Sequence, residues 1–204
     1  MVRETLYDEV HHAQRHFRSL LDTMSRPGKI NPLDPVELTP PPNVNRATAL
    51  VAFALLNADV SFHLLKMTDA DAAYLTANTR ASAAPIDAAA FVFTNGDNSP
   101  GALEGINCGT LTYPDTAATV VIQVAALSQE PLAGGLKLTL EGPGIETTAC
   151  VYTRRLNPDL LLALQARNAE FPLGIDAILT CDDERGLPHV LGIPRTANVS
   201  WESC

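Results

Sequence analysis

The residues best placed to do chemistry lie toward the C-terminus. Gly192-Ile193-Pro194-Arg195-Thr196 sets an arginine just after an apolar, strand-like run, where a guanidinium could grip phosphate or phosphonate oxygens with two parallel hydrogen bonds. Upstream, Phe171-Pro172-Leu173-Gly174-Ile175-Asp176 carries a helix end through proline and glycine into a strand whose first residue is an acid. Asp176 can hold a ligand group at a sheet edge, or accept the amides of a tight turn. A salt bridge between Asp176 and Arg195, or a contact of either with a partner chain, reads the same in sequence. Ligand binding, partner contact and structure therefore stay open for Asp176, Arg195, Thr196, Phe171 and Gly174.

Other constellations are incomplete. His12 and His16 share a helical face, a spacing at which two imidazoles can hold a metal, but no carboxylate or cysteine completes the ligand set, so a solvated surface and no metal are expected. Gly142-Pro143-Gly144 opens like a phosphate loop, yet Thr147 stands where the third glycine belongs and Pro143 removes a backbone donor; a turn is expected. Walker A, G-x-S-x-G and H-E-x-x-H patterns are absent. None of the three lysines, Lys29, Lys66 and Lys137, sits in a recognisable pyridoxal phosphate setting, so no cofactor is expected. No complete catalytic set emerges.

Composition narrows the classes further. Among 204 residues, 14 are basic and 23 acidic, for a net charge of -9, which argues against sequence-independent nucleic-acid binding. Residues 1 to 30 hold five of those bases, while residues 81 to 153 hold Lys137 alone against seven acids. Any anion site thus belongs near the ends of the chain. The N-terminus MVRETLYDEV has no apolar stretch of signal-peptide type, and no apolar run reaches the ~18 residues of a membrane span. A cytoplasmic protein is expected, its cysteines Cys108, Cys150, Cys181 and Cys204 reduced, since no C-x-x-C pair occurs.

These candidates must be held by interleaved helices and strands. An amphipathic helix is expected over 6 to 24, stopped by Ser25-Arg26-Pro27-Gly28, and then a stiff, Pro-rich surface connection over 28 to 44. Asn45 caps a buried helix to Asn57, and Thr68-Asp69-Ala70-Asp71 starts another that ends near Arg80. Strands are expected at Val60 to Leu65, at Ala89 to Phe93 before the turn Asn95-Gly96-Asp97, and at Leu136 to Leu140. Ser99-Pro100 suggests one helical turn. The continuous apolar run Thr119 to Leu127 should be a central strand. Asn157-Pro158 begins a helix to about Glu170, and Ile178 to Thr180, the acidic turn Asp182 to Gly186 and Val190 to Ile193 form a hairpin. The whole reads as one α/β domain, residues 1 to 204, with a mixed sheet covered on both faces by helices.

Several of these segments together resemble one family. Phe17-Arg18-Ser19-Leu20-Leu21 with Met24-Ser25 and Pro27-Gly28, then Thr119 to Ser128, Phe171 to Asp176, Ile178 to Cys181 and Ile193 to Thr196 run in the order found in the H subunit of the bacterial carbon-phosphorus lyase system. The resemblance implies a subunit of a multiprotein complex with other carbon-phosphorus lyase core subunits as partners and a homodimer when isolated. It implies a role in the step in which an alkylphosphonate displaces adenine from the ribose of a purine nucleoside triphosphate, a step assigned to a partner subunit. It further implies a three-layer α/β/α sandwich like the large domain of pyridoxal phosphate transferases, without that cofactor or its lysine. A stand-alone phosphonate- or nucleotide-binding enzyme is the rival reading.

Overall fold

A computed structural model describes residues 3–98 and 100–204. Four α-helices, α1 (His11–Ser25), α2 (Arg46–Leu55), α3 (Asp69–Thr79) and α4 (Pro158–Arg167), alternate with strands β1 (Asn31–Pro32), β2 (Ser61–Leu64), β3 (Ser82–Ala83), β4 (Phe91–Asn95), β5 (Thr119–Gln123), β6 (Ala126–Ser128), β7 (Leu136–Glu141), β8 (Ala149–Arg154), β9 (Asp176–Asp182), β10 (Pro188–Ile193) and β11 (Asn198–Ser203). A seven-stranded sheet runs β1-β10-β9-β5-β4-β2-β3. Its β2, β3, β4, β5 and β9 are mutually parallel; at one edge β10 pairs antiparallel with β9 and β1 antiparallel with β10. The second sheet, β11-β7-β8-β6, is antiparallel throughout.

The helix starts follow local chemistry. The Asn45 side chain accepts the Thr48 amide at 2.7 Å, Thr68 and Asp71 form a reciprocal capping box, and Asn157 accepts the Asp159 amide ahead of α4. Helix α1 begins five residues later than its periodicity suggests. The Asp8 carboxylate accepts the amides of Val10 and His11, each at 2.8 Å, and this local turn claims the residues that precede His11. Helix α4 likewise ends at Arg167, short of Glu170. The helical turn expected at Ser99-Pro100 appears as a 3-10 turn over Pro100–Leu103, with Ser99 outside the described residues.

Strand β5 occupies the middle of the large sheet, as its buried Val120, Val121 and Ile122 require. The run through Leu127 is not one strand, however. The Val124 amide still bonds Thr180 of β9, whereas the next amide, Ala125, bonds Arg154 of β8, and the chain passes there from one sheet to the other. The connection over 28 to 44 also departs from a surface path. It adds β1 to the sheet edge, where Pro32 needs no ladder donor, and it buries Leu33, Val36, Leu38 and Val44.

Two cores flank the large sheet. On one face Leu20 of α1 and Leu50, Val51 and Phe53 of α2 pack on Phe62, Phe93, Val121 and Ile178. On the other, Val120, Ile122, Ala177 and Leu179 meet Leu160, Leu161 and Leu164 of α4 together with Leu138, Leu140 and Val151 of the second sheet. The architecture is thus α/β with a mixed sheet, but helices do not cover both faces alone. Strands β7 and β8 alternate inward and outward side chains, and their apolar face needs a cover as much as the large sheet does. Stacking the two faces satisfies both. No helix among the described residues is long and apolar enough to cross a membrane.

Candidate functional site

Asp176 opens β9, and Arg195 follows β10 by two residues; because the strands are antiparallel, both side chains lie at the amino end of the parallel strands. They meet. Arg195 donates from Nη2 to Asp176 Oδ2 at 2.8 Å and from Nε to Oδ1 at 3.4 Å, while its backbone amide donates to the same Oδ1 at 2.8 Å. Nη1 donates to the Pro114 carbonyl at 2.8 Å. The two side chains are only 16% and 22% exposed, so the guanidinium is largely enclosed with every nitrogen engaged. This arrangement clasps the loop before β5 to the C-terminal hairpin.

The other terminal-segment residues do not join it at one site. Gly174 has φ +134, and a Cβ there would stand 2.5 Å from the Asn168 side chain, which it allows to bridge the Ile175 amide at 2.7 Å and the Ile175 carbonyl at 3.2 Å. Phe171 and Thr196 are exposed. A cavity of about 290 Å³ beside Arg195 is lined by Leu161, Leu164, Ile175 and Ile193 and by Gln165 and Asn168, of which Gln165 donates to Val199 O at 2.6 Å and Asn168 bridges Ile175.

The histidine pair does not lie on the solvated surface expected for it. His16 is fully buried; its Nε2 donates to the Asp34 carbonyl at 3.0 Å, which leaves Nδ1 to accept from the Tyr7 hydroxyl at 3.3 Å. Both ring nitrogens are occupied, and burial, the leading cause, lowers the His16 pKa from its ordinary value. No group of three or more metal-ligating side chains occurs among the described residues. Gly142-Pro143-Gly144 is a turn, closed by the Ile145 amide on the Gly142 carbonyl. The acidic turn is also structural: Asp182 accepts the Arg46 and Ala47 amides at the start of α2, each at 2.9 Å, and Asp183 accepts those of Arg185 and Leu187.

The opposite, carboxyl end of the parallel strands carries a polar cluster that no sequence motif announces. Gln123, the last residue of β5, accepts the Asn45 amide at 2.6 Å and donates to the Asn43 carbonyl at 3.3 Å and to Asn95 Oδ1 at 3.2 Å. Asn95 ends β4, and Arg155 follows β8 with φ +58. Gly96 lets these segments cross, since a Cβ there would lie 2.1 Å from the Arg155 carbonyl. Arg155 pairs with Asp97, its Nε donating to Oδ2 at 3.0 Å. Together Asn43, Asn95, Asp97, Gln123 and Arg155 line a cavity of about 260 Å³, and Asp97 and Arg155 also border a second of about 610 Å³. Among the described residues the Asn95 amide nitrogen and Arg155 Nη1 have no protein acceptor. Open α/β sheets bind ligands at this end, where loops leave the strands.

Sequence comparison bears on what these ends serve. The family model for "Bacterial phosphonate metabolism protein (PhnH)" matches residues 4–200. The chain belongs to the PhnH family. Over 199 residues it is 33% identical to "Alpha-D-ribose 1-methylphosphonate 5-triphosphate synthase subunit PhnH" of Rhizobium meliloti (strain 1021), covering 96% of this chain and 94% of that protein. It is 30% identical over 188 residues to "Putative C-P lyase subunit protein HtxG" of Stutzerimonas stutzeri, covering 92% and 85%. The PhnH match spans both ends of the sheet, so the clasp and the carboxyl-end cavity alike fall within it. The one sequence signal for that cavity was the position of Asn95-Gly96-Asp97 directly after a strand, where turn chemistry masked it.

Proposed function

We propose that this chain is a subunit of the carbon-phosphorus lyase system. In this reading it supports transfer of an alkylphosphonate to the ribose of ATP, with release of adenine, and does not carry out that reaction alone. The observation that carries the proposal is the similarity over 96% of the chain to a subunit of the synthase whose product is a ribose 1-methylphosphonate 5-triphosphate. The geometry adds to it. Arg195, the group best suited by sequence to grip a phosphonate, already engages Asp176 and Pro114, which weighs against a stand-alone phosphonate- or nucleotide-binding enzyme built there. Asp176, Arg195 and Gly174 then serve the fold, while exposed Phe171 and Thr196 remain available to another subunit.

Any ligand oxygen that the chain touches is best met at the carboxyl end, where Arg155 and Asn95 keep donors without protein acceptors. The proposal includes residues 1 to 204 acting as one domain, a cytoplasmic location, a homodimer when isolated, other core subunits as partners, and no bound cofactor, metal, nucleic acid or membrane. A likeness to the large domain of pyridoxal phosphate transferases is part of it, supported by the parallel core β2-β4-β5-β9. Deleting the gene tests the reading: growth on methylphosphonate should be lost and growth on phosphate kept. Normal growth of the deletion strain on methylphosphonate would refute it.

A further inference from the structure

Helix α1 faces the core with His16, Leu20 and Thr23 and turns a second apolar line outward. Val10, just ahead of the helix, is 70% exposed, Phe17 44% and Leu21 53%. Their spacing, with Gln14 between Val10 and Phe17, alternates four, three and four residues, so the four side chains form one stripe along the helix. Isolated exposed apolar residues need no explanation, but three along one line of a fixed helix, with only Gln14 between them, do.

The charge around it runs against the rest of the molecule. Residues 11 to 30 hold Arg15, Arg18, Arg26 and Lys29 against Asp22 alone, in a chain of net charge -9, while Asp8 and Glu9 precede Val10, Asp8 accepting the Val10 and His11 amides and Glu9 facing Arg3 and Arg80. Asp22 is already held by Arg26 and Lys29, and Arg15 by Asp34. Arg18, beside Phe17 and one turn from Leu21, has no ion-pair or hydrogen-bond partner among the described residues. A second copy would offer Arg18 only Asp8 and Glu9 at the Val10 end, and both are already engaged, Asp8 by the Val10 and His11 amides and Glu9 by Arg3 and Arg80. An apolar surface rimmed by carboxylates fits the stripe and Arg18 together.

We propose that the outward face of α1, formed by Val10, Gln14, Phe17 and Leu21 with Arg18 at its rim, is a docking surface for an acidic-rimmed apolar groove on another subunit of the synthase. This rests on the subunit reading given above. The helix enters the groove as a ready-folded ridge, so little ordering entropy opposes association.

The test uses the full chain and the remaining synthase subunits, purified as an assembly from a strain lacking this gene, with affinity measured by sedimentation. The double variant Phe17→Glu/Leu21→Glu should bind about thirtyfold or more weakly. Arg18→Glu should bind about tenfold more weakly, and wild-type affinity should fall with added salt. Both variants should keep the wild-type Tm within ~2 °C, since the altered side chains leave the core untouched. Wild-type affinity in a folded double variant would overturn the proposal. So would a double variant that binds the subunits normally but loses self-association, which would assign the face to a second copy. Wild-type binding to vesicles of phosphatidylglycerol and phosphatidylcholine, abolished in the double variant, would assign it to a membrane. If the wild-type chain fails to bind the subunits at all, the subunit reading falls and the docking surface with it.

Discussion

The two ends of the parallel strands use their polar residues in opposite ways. At the amino end Asp176 and Arg195 consume one another, and they recruit the Pro114 carbonyl from elsewhere. At the carboxyl end Gln123 ties three segments together, yet Asn95 and the more exposed Arg155 keep donors that no atom among the described residues fills. A charged pair marks chemistry in a sequence because its residues are chemically conspicuous. In the folded chain the conspicuous pair is the fastener, and the open cavity is lined by unremarkable amides with the exposed pair Asp97 and Arg155 at its wall.

The sharpest way to break this contrast is Arg195→Ala. It leaves the Asp176 carboxylate largely enclosed and uncompensated, at a cost of about 3 kcal/mol, moderated by the solvent that still reaches the pair. Urea unfolding of Arg195→Ala, Asp176→Ala and the double variant should show the double variant less destabilised than the sum of the singles. Additive losses would mean that the clasp is not a unit.

A smaller effect tests whether the carboxyl end has structural acids of its own. Asp182→Ala removes the carboxylate that accepts two α2 amides and should cost about 1 to 2 kcal/mol, read from the thermal midpoint. An unchanged midpoint would show that Asn45 alone suffices as the cap.

His16 belongs to neither end and supplies the pH baseline against which both must be judged. Tyr7, Asp34, Arg15 and His12 surround it, and burial holds its folded pKa below the ordinary value near 6.5. The unfolded chain therefore binds a proton that the folded chain refuses, so stability declines as pH falls below about 6.5 and the decline stops only below the lowered folded pKa. Thermal midpoints of the wild type and His16→Gln between pH 7 and pH 5 should converge on acidification. Parallel curves would contradict a buried neutral imidazole.

Much of this architecture is legible from sequence, and the reason is local. Asn45, Thr68 and Asn157 act on amides two or three residues away, and the β9–β10 hairpin joins neighbouring segments, so each can be read without knowing the fold. The second sheet is not legible in the same way. Strands β8 and β11 are six residues each and mix Thr, Ser, Tyr and Trp with charges; β8 follows β7 after the 142–148 loop, but β11 reaches β7 across a long separation. The break after Val124 lies inside an apolar run and has no turn residue to mark it. The carboxyl-end cavity escapes for a related reason. Asn43, Asn95, Gln123 and Arg155 come from four separate segments, and Asn and Gln carry no spacing rule that would gather them.

The smallest expected change in stability leads to the decisive measurement. Arg155 and Asp97 form an exposed pair, so Arg155→Ala should leave stability nearly unchanged. The measurement is turnover of methylphosphonate by the synthase reconstituted with Arg155→Ala, normalised to the amount of this chain incorporated. If the carboxyl end is where the chain meets ligand, the variant assembles at the wild-type Tm and turnover falls about tenfold or more. Wild-type turnover from a fully incorporated Arg155→Ala chain would contradict the account.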